Sequence, residues 1–258
     1  MRIYQRLLLM NLSALTQYRE NFINSMASSV IWSVFTFIQI ILLTSKTSTL
    51  FGWSRNELLI LSCVQAIIIG IFHTMFTRNF EQLPRLIRYG QLDTMLMKPL
   101  DSHIQVSIFH INYTSLVRVA IGAALLVFLL YEAHIIVTCL NVLLFLSFIC
   151  FGVILLFSIW SIVVTMLFWN PSLSNLIDVM FTVSSLSKYP GDMYRQLSQY
   201  IFFFLLPFTF IAISPTKVLL QHVTLYDSIG LLGCCIGFLF LARSFWKFAL
   251  RYYTSASS

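Results

Sequence analysis

The chain has 258 residues, 59% hydrophobic and 10% charged, with a formal net charge of +7 and a mean hydropathy of +0.86. Soluble domains carry about 25% charged residues, so a water-soluble fold is excluded and the apolar surface has to face lipid. The surplus of Lys and Arg then speaks to membrane orientation rather than to nucleic acid.

Met1 to Glu20 predicts an amphipathic helix. Tyr4, Leu7, Leu8, Leu15 and Tyr18 fall on one side, with Arg2, Arg6, Ser13, Thr16 and Glu20 on the other. Such a helix lies in the membrane interface. Phe22 to Leu43 follows with 22 residues and no formal charge, enough for a first span. A short polar loop with Lys46, Trp53 and Arg55 leads to a second span, Leu58 to Phe76.

Arg78 to Asp101 is a polar island that carries seven of the chain's 25 formally charged residues. A third span is expected over Ile108 to Tyr131, turning at Glu132-Ala133-His134. Ile135 to Trp169 then runs for 35 residues without a charge. As one helix it would measure about 52 Å, longer than the bilayer core, so it must tilt, protrude or break. Asn170-Pro171 ends it.

Ser172 to Tyr189 is less apolar and contains Asp178, and Tyr189-Pro190-Gly191-Asp192 is a turn signal. Ser198 to Ser214 is strongly apolar but is interrupted by Pro207 and closed by Pro215. Ser228 to Phe245 is the last span, followed by Lys247 and Arg251. The five cysteines all lie in apolar runs and are expected to pack as small buried hydrophobes.

Charge sets the orientation. Ten of the sixteen basic residues lie before the first span, in the island or at the C-terminus. The positive-inside rule makes those three regions cytoplasmic, which requires an even number of crossings. Two solutions give six. In one, Ser172 to Tyr189 crosses and Ser198 to Ser214 is a proline-broken re-entrant hairpin. In the other, the first segment is cytoplasmic and amphipathic and the second is the fifth crossing. Irregular backbone at membrane depth is tolerated where protein buries it or water lines it. No internal repeat or low-complexity stretch divides the chain, so one domain is expected.

The island itself predicts two short helical turns. Pro84 suits a first turn, Gly90 a left-handed stop, Asp93 a cap for the second turn, and Lys98-Pro99 its end. Leu83, Leu86, Ile87, Leu92, Met95 and Leu96 supply apolar knobs. Two capped turns joining two spans form a rigid lever that a partner can press on.

Several pieces, in order along nearly the whole chain, resemble one family. They are Tyr18-Arg19-Glu20-Asn21-Phe22, Gly52-Trp53-Ser54, Gly90-Gln91-Leu92-Asp93-Thr94-Met95-Leu96-Met97-Lys98-Pro99-Leu100, Phe168-Trp169, Tyr189-Pro190 with Tyr194, and Pro207 through Ala212-Ile213-Ser214-Pro215. The sequence resembles the six-helix permease subunits of type-2 ABC exporters, in the branch of uncharacterised bacterial permeases. The resemblance implies an all-α integral membrane fold of six transmembrane helices in the bacterial inner (cytoplasmic) membrane. Residues 1–21 would be the amphipathic connecting helix and 78–101 the cytoplasmic coupling loop. Within that loop Arg85, Arg88, Gly90, Leu92, Asp93, Leu96, Lys98 and Pro99 would meet the groove of an ATP-binding cassette ATPase subunit. Tyr189, Pro190, Pro207 and Pro215 would belong to a re-entrant element before the last span, which favours the first topology. The other partners implied are a second permease copy or a paired homologous permease, and membrane lipids.

The chain has no G-x-x-x-x-G-K-[ST] phosphate loop, H-E-x-x-H, G-x-S-x-G or C-x-x-C. No cofactor or metal is therefore expected on this chain, and ATP and Mg would sit on the partner. Arg118 is the one formal charge well inside a long apolar span. It is expected either to line a pathway or to pair structurally with an acid such as Asp178. An ion-coupled secondary transporter or channel is the alternative, but that class shows internal repeats and paired broken helices, and this chain shows neither.

Overall fold

The structure, a computed structural model, describes residues 19–45, 49–194 and 199–253. The amphipathic helix expected ahead of the first span lies outside them except for its last residues. Those begin α1 (Arg19–Leu43). Three hydroxyls of α1 bond back within the helix, Ser28 donating to the Asn24 carbonyl at 2.9 Å, Ser33 to Ser29 at 2.8 Å and Thr36 to Trp32 at 2.9 Å. That is how a segment with several Ser and Thr is tolerated in lipid.

A two-residue turn, with Phe51 at φ 53° and Gly52 at φ 84°, joins β1 (Thr49–Leu50) to β2 (Trp53–Ser54). Positive φ at both positions is the geometry that tight hairpins favour. Ser54 then caps α2 (Arg55–Phe72) in a reciprocal capping box with Glu57.

The chain does not stop at the end of α2. A π turn over His73–Thr77 carries it straight into α3 (Arg78–Arg88), so one 34-residue helical column runs from Arg55 to Arg88. The first half of the island is therefore a continuation of the second span, and Pro84 lies inside a helix rather than at its first turn. Gly90, at φ 67°, makes the left-handed stop expected of it and begins α4 (Gln91–Leu96). Asp93 sits in the first turn of α4, where its charge favours the helix dipole, but Gly90 holds the cap position.

Asp101 caps α5 (Ser102–Ile108), accepting from the His103 and Ile104 amides at 3.1 and 3.3 Å. The third span thus starts later than Ile108, with a 3-10 turn at Tyr113–Ser115 leading into α6 (Leu116–Glu132). The break is held by Asn79. Its amide nitrogen donates to the His110 carbonyl at 2.9 Å and its oxygen accepts from the His110 amide at 2.7 Å. Beside it the Asn112 amide donates to the Thr74 carbonyl at 2.8 Å.

The 35-residue apolar run resolves into α7 (Cys139–Thr165), capped by Thr138, and a 3-10 turn at Met166–Phe168. Its first four residues belong to the preceding loop. Helices α2 and α6 approach closely at Gly70 and Gly122. A Cβ on Gly70 would lie 2.6 Å from Val119, and one on Gly122 would lie 3.2 Å from the Cys63 carbonyl. The core gathers around Trp160, whose ring lies 5.1 Å from Phe72 and 5.0 Å from Phe181 and whose indole N–H donates to Ser184 at 2.8 Å.

Beyond Asn170-Pro171 come α8 (Asn175–Ser185), a 3-10 turn at Leu186–Lys188, α9 (Gly191–Tyr194) and α10 (Gln199–Leu219). The helix α10 passes through Pro207 and Pro215 without a break, contrary to the expected proline-broken hairpin. Pro215 removes the donor that would meet the Ile211 carbonyl. That carbonyl instead faces the bare Cα of Gly152 on α7, where a Cβ would come within 2.9 Å. Finally, α11 (Leu225–Tyr252) opens on a Thr224–Asp227 capping box.

Among the described residues five helices are long and apolar enough to cross a membrane, and Phe204–Leu219 is a shorter apolar helix. Between α7 and α11 lies the passage that holds both candidates for the remaining crossing, Ser172 to Tyr189 and Ser198 to Ser214. At one end of this passage Pro171 accepts from Arg88 at 2.8 Å; at its other end Gln221 donates to the Ile136 carbonyl at 2.7 Å. Arg88 belongs to the island and Ile136 to the loop at the opposite end, and already at Lys188 and Tyr189 the chain meets Gln39 and Ile40, near the end of α1, and Leu58, near the start of α2.

The cysteines are free. Cys63 and Cys235 are buried and Cys234 half-buried, but Cys139 and Cys150 face outward, where their apolar neighbours also meet lipid.

Candidate functional site

Two features stand out: the exposed end of the bundle built by the island, and a cavity at membrane depth. The column Arg55–Arg88 touches both, because His73 in its π turn lines the cavity and Arg85 and Arg88 lie at its exposed end. Mid-helix π turns are frequent at functional sites.

At the island end the knobs turn inward. Leu83, Ile87, Leu92 and Met95 are buried in the core, and Leu86 and Leu96 are half-buried against it. The apolar side chains left outside are Tyr89, 72% exposed, and Met97, 85% exposed, with Leu100 and Ile104 beyond them. The exposed apolar surface here is thus centred on Tyr89 and Met97, which sequence reasoning passed over; helix phase in such short turns is invisible without the fold.

Of the coupling residues named from the sequence, Arg85, Arg88, Lys98 and Pro99 are exposed, while Leu92 is inaccessible. Arg88 is held by Pro171, and Lys98 lies over the Phe109 ring at 5.9 Å. Arg85 borders a cavity of about 250 Å³ with Gln82, Gln91, Thr94 and His110. Burial, followed by the Arg78 and Arg85 charges, holds the His110 imidazole below its ordinary range.

The island is anchored on its far side. Asp101 pairs with Arg243 on α11, and Ser102 accepts from the Trp246 indole at 3.2 Å. His103 is sandwiched in the core, hydrogen-bonded to Ser161 at 2.6 Å and stacked on Trp246 at 4.8 Å. Burial pushes its imidazole down to about 4, Asp101 opposing and Arg243 reinforcing the shift. The Asp93 carboxylate faces Tyr253, and burial with that charge pushes the phenol up to about 12.

The second feature is a cavity of about 550 Å³ between α1, α2, α6 and α8. Arg118 and Lys188 project into it, together with Gln39, Gln65 and His73. Arg118 lies near the island end of its span, since α6 begins only at Leu116. Arg118 and Asp178 are not brought together: Asp178 is exposed on α8 and does not line the cavity. Lys188 donates instead to Gln39 at 2.7 Å. Gln39 and Gln65, polar residues within apolar spans that sequence reasoning passed over, are the signal in the sequence for this cavity.

The four residues assigned to a re-entrant element lie close in the fold but present no open surface. Pro190, Pro207 and Pro215 are buried, and Tyr189 packs with Ile40, Leu58 and Ala212.

A set of apolar helices of membrane length around a polar cavity, with a charged, anchored end, defines a multi-pass membrane transport protein. Residues 30–257 match the model of a family described as ABC-2 family transporter protein, and the chain belongs to that family. Proteins of this family are membrane transport components. No curated protein and no solved structure matches the chain.

Proposed function

We propose that the chain is the membrane-spanning permease subunit of an ATP-binding cassette exporter. It works as a homodimer or beside a similar permease, with a separate ATPase subunit that binds ATP and Mg. The observation that carries this reading is the unbroken column from His73 at the cavity wall to Arg88 at the exposed end. A push on the island tilts a cavity wall directly, which is the coupling between two sites that nucleotide-driven alternating access requires.

Tyr89 and Met97 support the same reading. Large apolar side chains at a charged, polar end of a membrane protein mark a covered surface. The residues that meet the ATPase groove are then Tyr89, Met97, Arg85, Lys98 and Pro99; Arg88, Gly90, Leu92, Asp93 and Leu96 shape the turn behind them.

Six crossings follow if one of the two segments, Ser172 to Tyr189 or Ser198 to Ser214, makes the fifth. The N-terminus, island and C-terminus then lie on the cytoplasmic side of a bacterial inner membrane, where positive charge collects.

The test is co-expression with an ATP-binding cassette subunit and purification of the complex. Met97→Asp and Tyr89→Ala should each reduce recovery of the ATPase subunit, by about tenfold for the charge, while the permease stays monodisperse. Transport by the chain alone without nucleotide, or undiminished recovery in both variants, refutes the reading.

A further inference from the structure

The cavity beside α1 is unbalanced in charge. Arg118 and Lys188 line it, and no Asp or Glu does. Neither makes an ion pair with a described residue. The Lys188 ammonium rests on a neutral amide and over the Tyr189 ring at 5.1 Å, and the buried Nε of Arg118 has no hydrogen-bond partner among the described residues.

Four of the five hydroxyls that line the cavity already donate to helix carbonyls, and the fifth, Ser184, accepts from the Trp160 indole. Ser33 and Thr36 donate to carbonyls of α1, and Thr182 and Ser185 to carbonyls of α8. The strongest donors left to a ligand are therefore the two cations. A charge at bilayer depth costs about 2.5–3.5 kcal/mol on insertion scales and is normally paired. An arginine fork is shaped for a carboxylate or a phosphate.

The α1 wall adds aromatic surface. Trp32 and Phe35 line the cavity from α1 and are still 58% and 57% exposed, so the space leads from the cations toward lipid along aromatic surface. Its volume of about 550 Å³ falls in the ordinary range of small-molecule sites.

We infer that this cavity binds the anionic headgroup, a phosphate or carboxylate, of an amphipathic molecule, gripped by Arg118 and Lys188 with its tail along Trp32 and Phe35. The inference rests on the permease reading, in which the cavity belongs to the translocation path, and names the class of substrate that path accepts.

The experiment uses the full chain in phosphatidylcholine nanodiscs, titrated with dodecyl phosphate and with dodecyltrimethylammonium, against protein-free discs. Saturable binding of the phosphate alone is expected. Arg118→Gln and Lys188→Gln should each weaken it by about tenfold, the scale of one lost charge-assisted hydrogen bond. Arg118→Lys should keep part of it, and Arg55→Gln, outside the cavity, all of it.

Equal binding of the two amphiphiles, no binding above empty discs, or unchanged affinity in both Gln variants overturns the inference. Should Arg118→Gln not fold, Arg118→Lys and Lys188→Gln carry the comparison. Repeating the titration in phosphatidylglycerol discs identifies the source: abolished binding means a resident lipid headgroup fills the site, and persistent binding means a separate solute does. Both outcomes support an anion site. Loss of phosphate binding with the ATPase subunit still recovered sinks the substrate class alone, whereas binding without recovery sinks the permease reading alone.

Discussion

Asp101 and Arg243 pair across the bundle, tying the end of the island to the last helix. The same carboxylate caps α5, so a single side chain both starts a helix and fastens it. Asp101→Asn keeps a capping acceptor and removes the charge. Because the pair is exposed to solvent, the loss should be no more than about 1 kcal/mol. Asp101→Ala also removes the cap and should cost about 1 kcal/mol more. The Arg243 hydrogen bond, then the Ile104 and His103 amides, hold the carboxyl below its ordinary value. Its contribution is therefore present above the unfolded carboxyl's pKa of about 3.9 and lost as pH falls through the folded value. Thermal unfolding of the two variants at neutral pH and near pH 3 checks both.

His103 sets a second acid limit, higher than the first. Its imidazole is buried neutral and depressed to about 4. The unfolded chain takes up its proton near pH 6.5, so stability is complete above that value and falls as pH drops from about 6.5 to 4. The loss should approach 3 kcal/mol, because each tenfold difference in proton affinity between the folded and unfolded chain is worth about 1.4 kcal/mol. His103→Gln, able to hydrogen-bond Ser161 but not to titrate, should flatten the profile over that window in detergent unfolding measurements. An unchanged slope would mean that another group titrates there.

Asn79 joins the helical column to the His110 backbone by two hydrogen bonds and to Met75 by a third. Asn79→Asp keeps the shape but replaces the donor to two carbonyls. It should cost about 1–3 kcal/mol, with the increase in amide exchange concentrated at Phe109 to Asn112. A global rise without that focus would refute the local role.

The close helix approaches predict a contrast among glycines. Gly152→Ala would drive a methyl to 2.9 Å from the Ile211 carbonyl, a backbone atom, and Gly70→Ala would meet Val119. Each should destabilise by about 1–3 kcal/mol. Gly233→Ala meets nothing within 4 Å and should be neutral, or stabilising by up to about 1 kcal/mol from helix propensity. Melting temperatures of the three variants make the comparison.

Gly233 and Gly237 also show where reading along one helix reaches its limit. Gly230, Gly233 and Gly237 share a face of the last span, yet among the described residues only Gly230 has a close neighbour, Phe210. Spacing marks a face; what covers it depends on the other helices.

The amino-acid sequence by itself determined the membrane environment, the five helices of spanning length, the left-handed stop at Gly90 and the polar island, because these follow from local hydropathy and backbone preference. The family was legible too, through motifs kept in order. Only the tertiary structure decided that the island begins inside a continuing helix, that Leu92 faces the core while Met97 faces out, and that α10 runs through its prolines. It also decided that Arg118 meets Lys188 in one cavity rather than Asp178 in an ion pair. These outcomes turn on helix phase, on Asn79 and His110 bonding 31 residues apart, and on Gly152 leaving room for the carbonyl that Pro215 frees. Such terms are long-range, and no local window of sequence contains both partners.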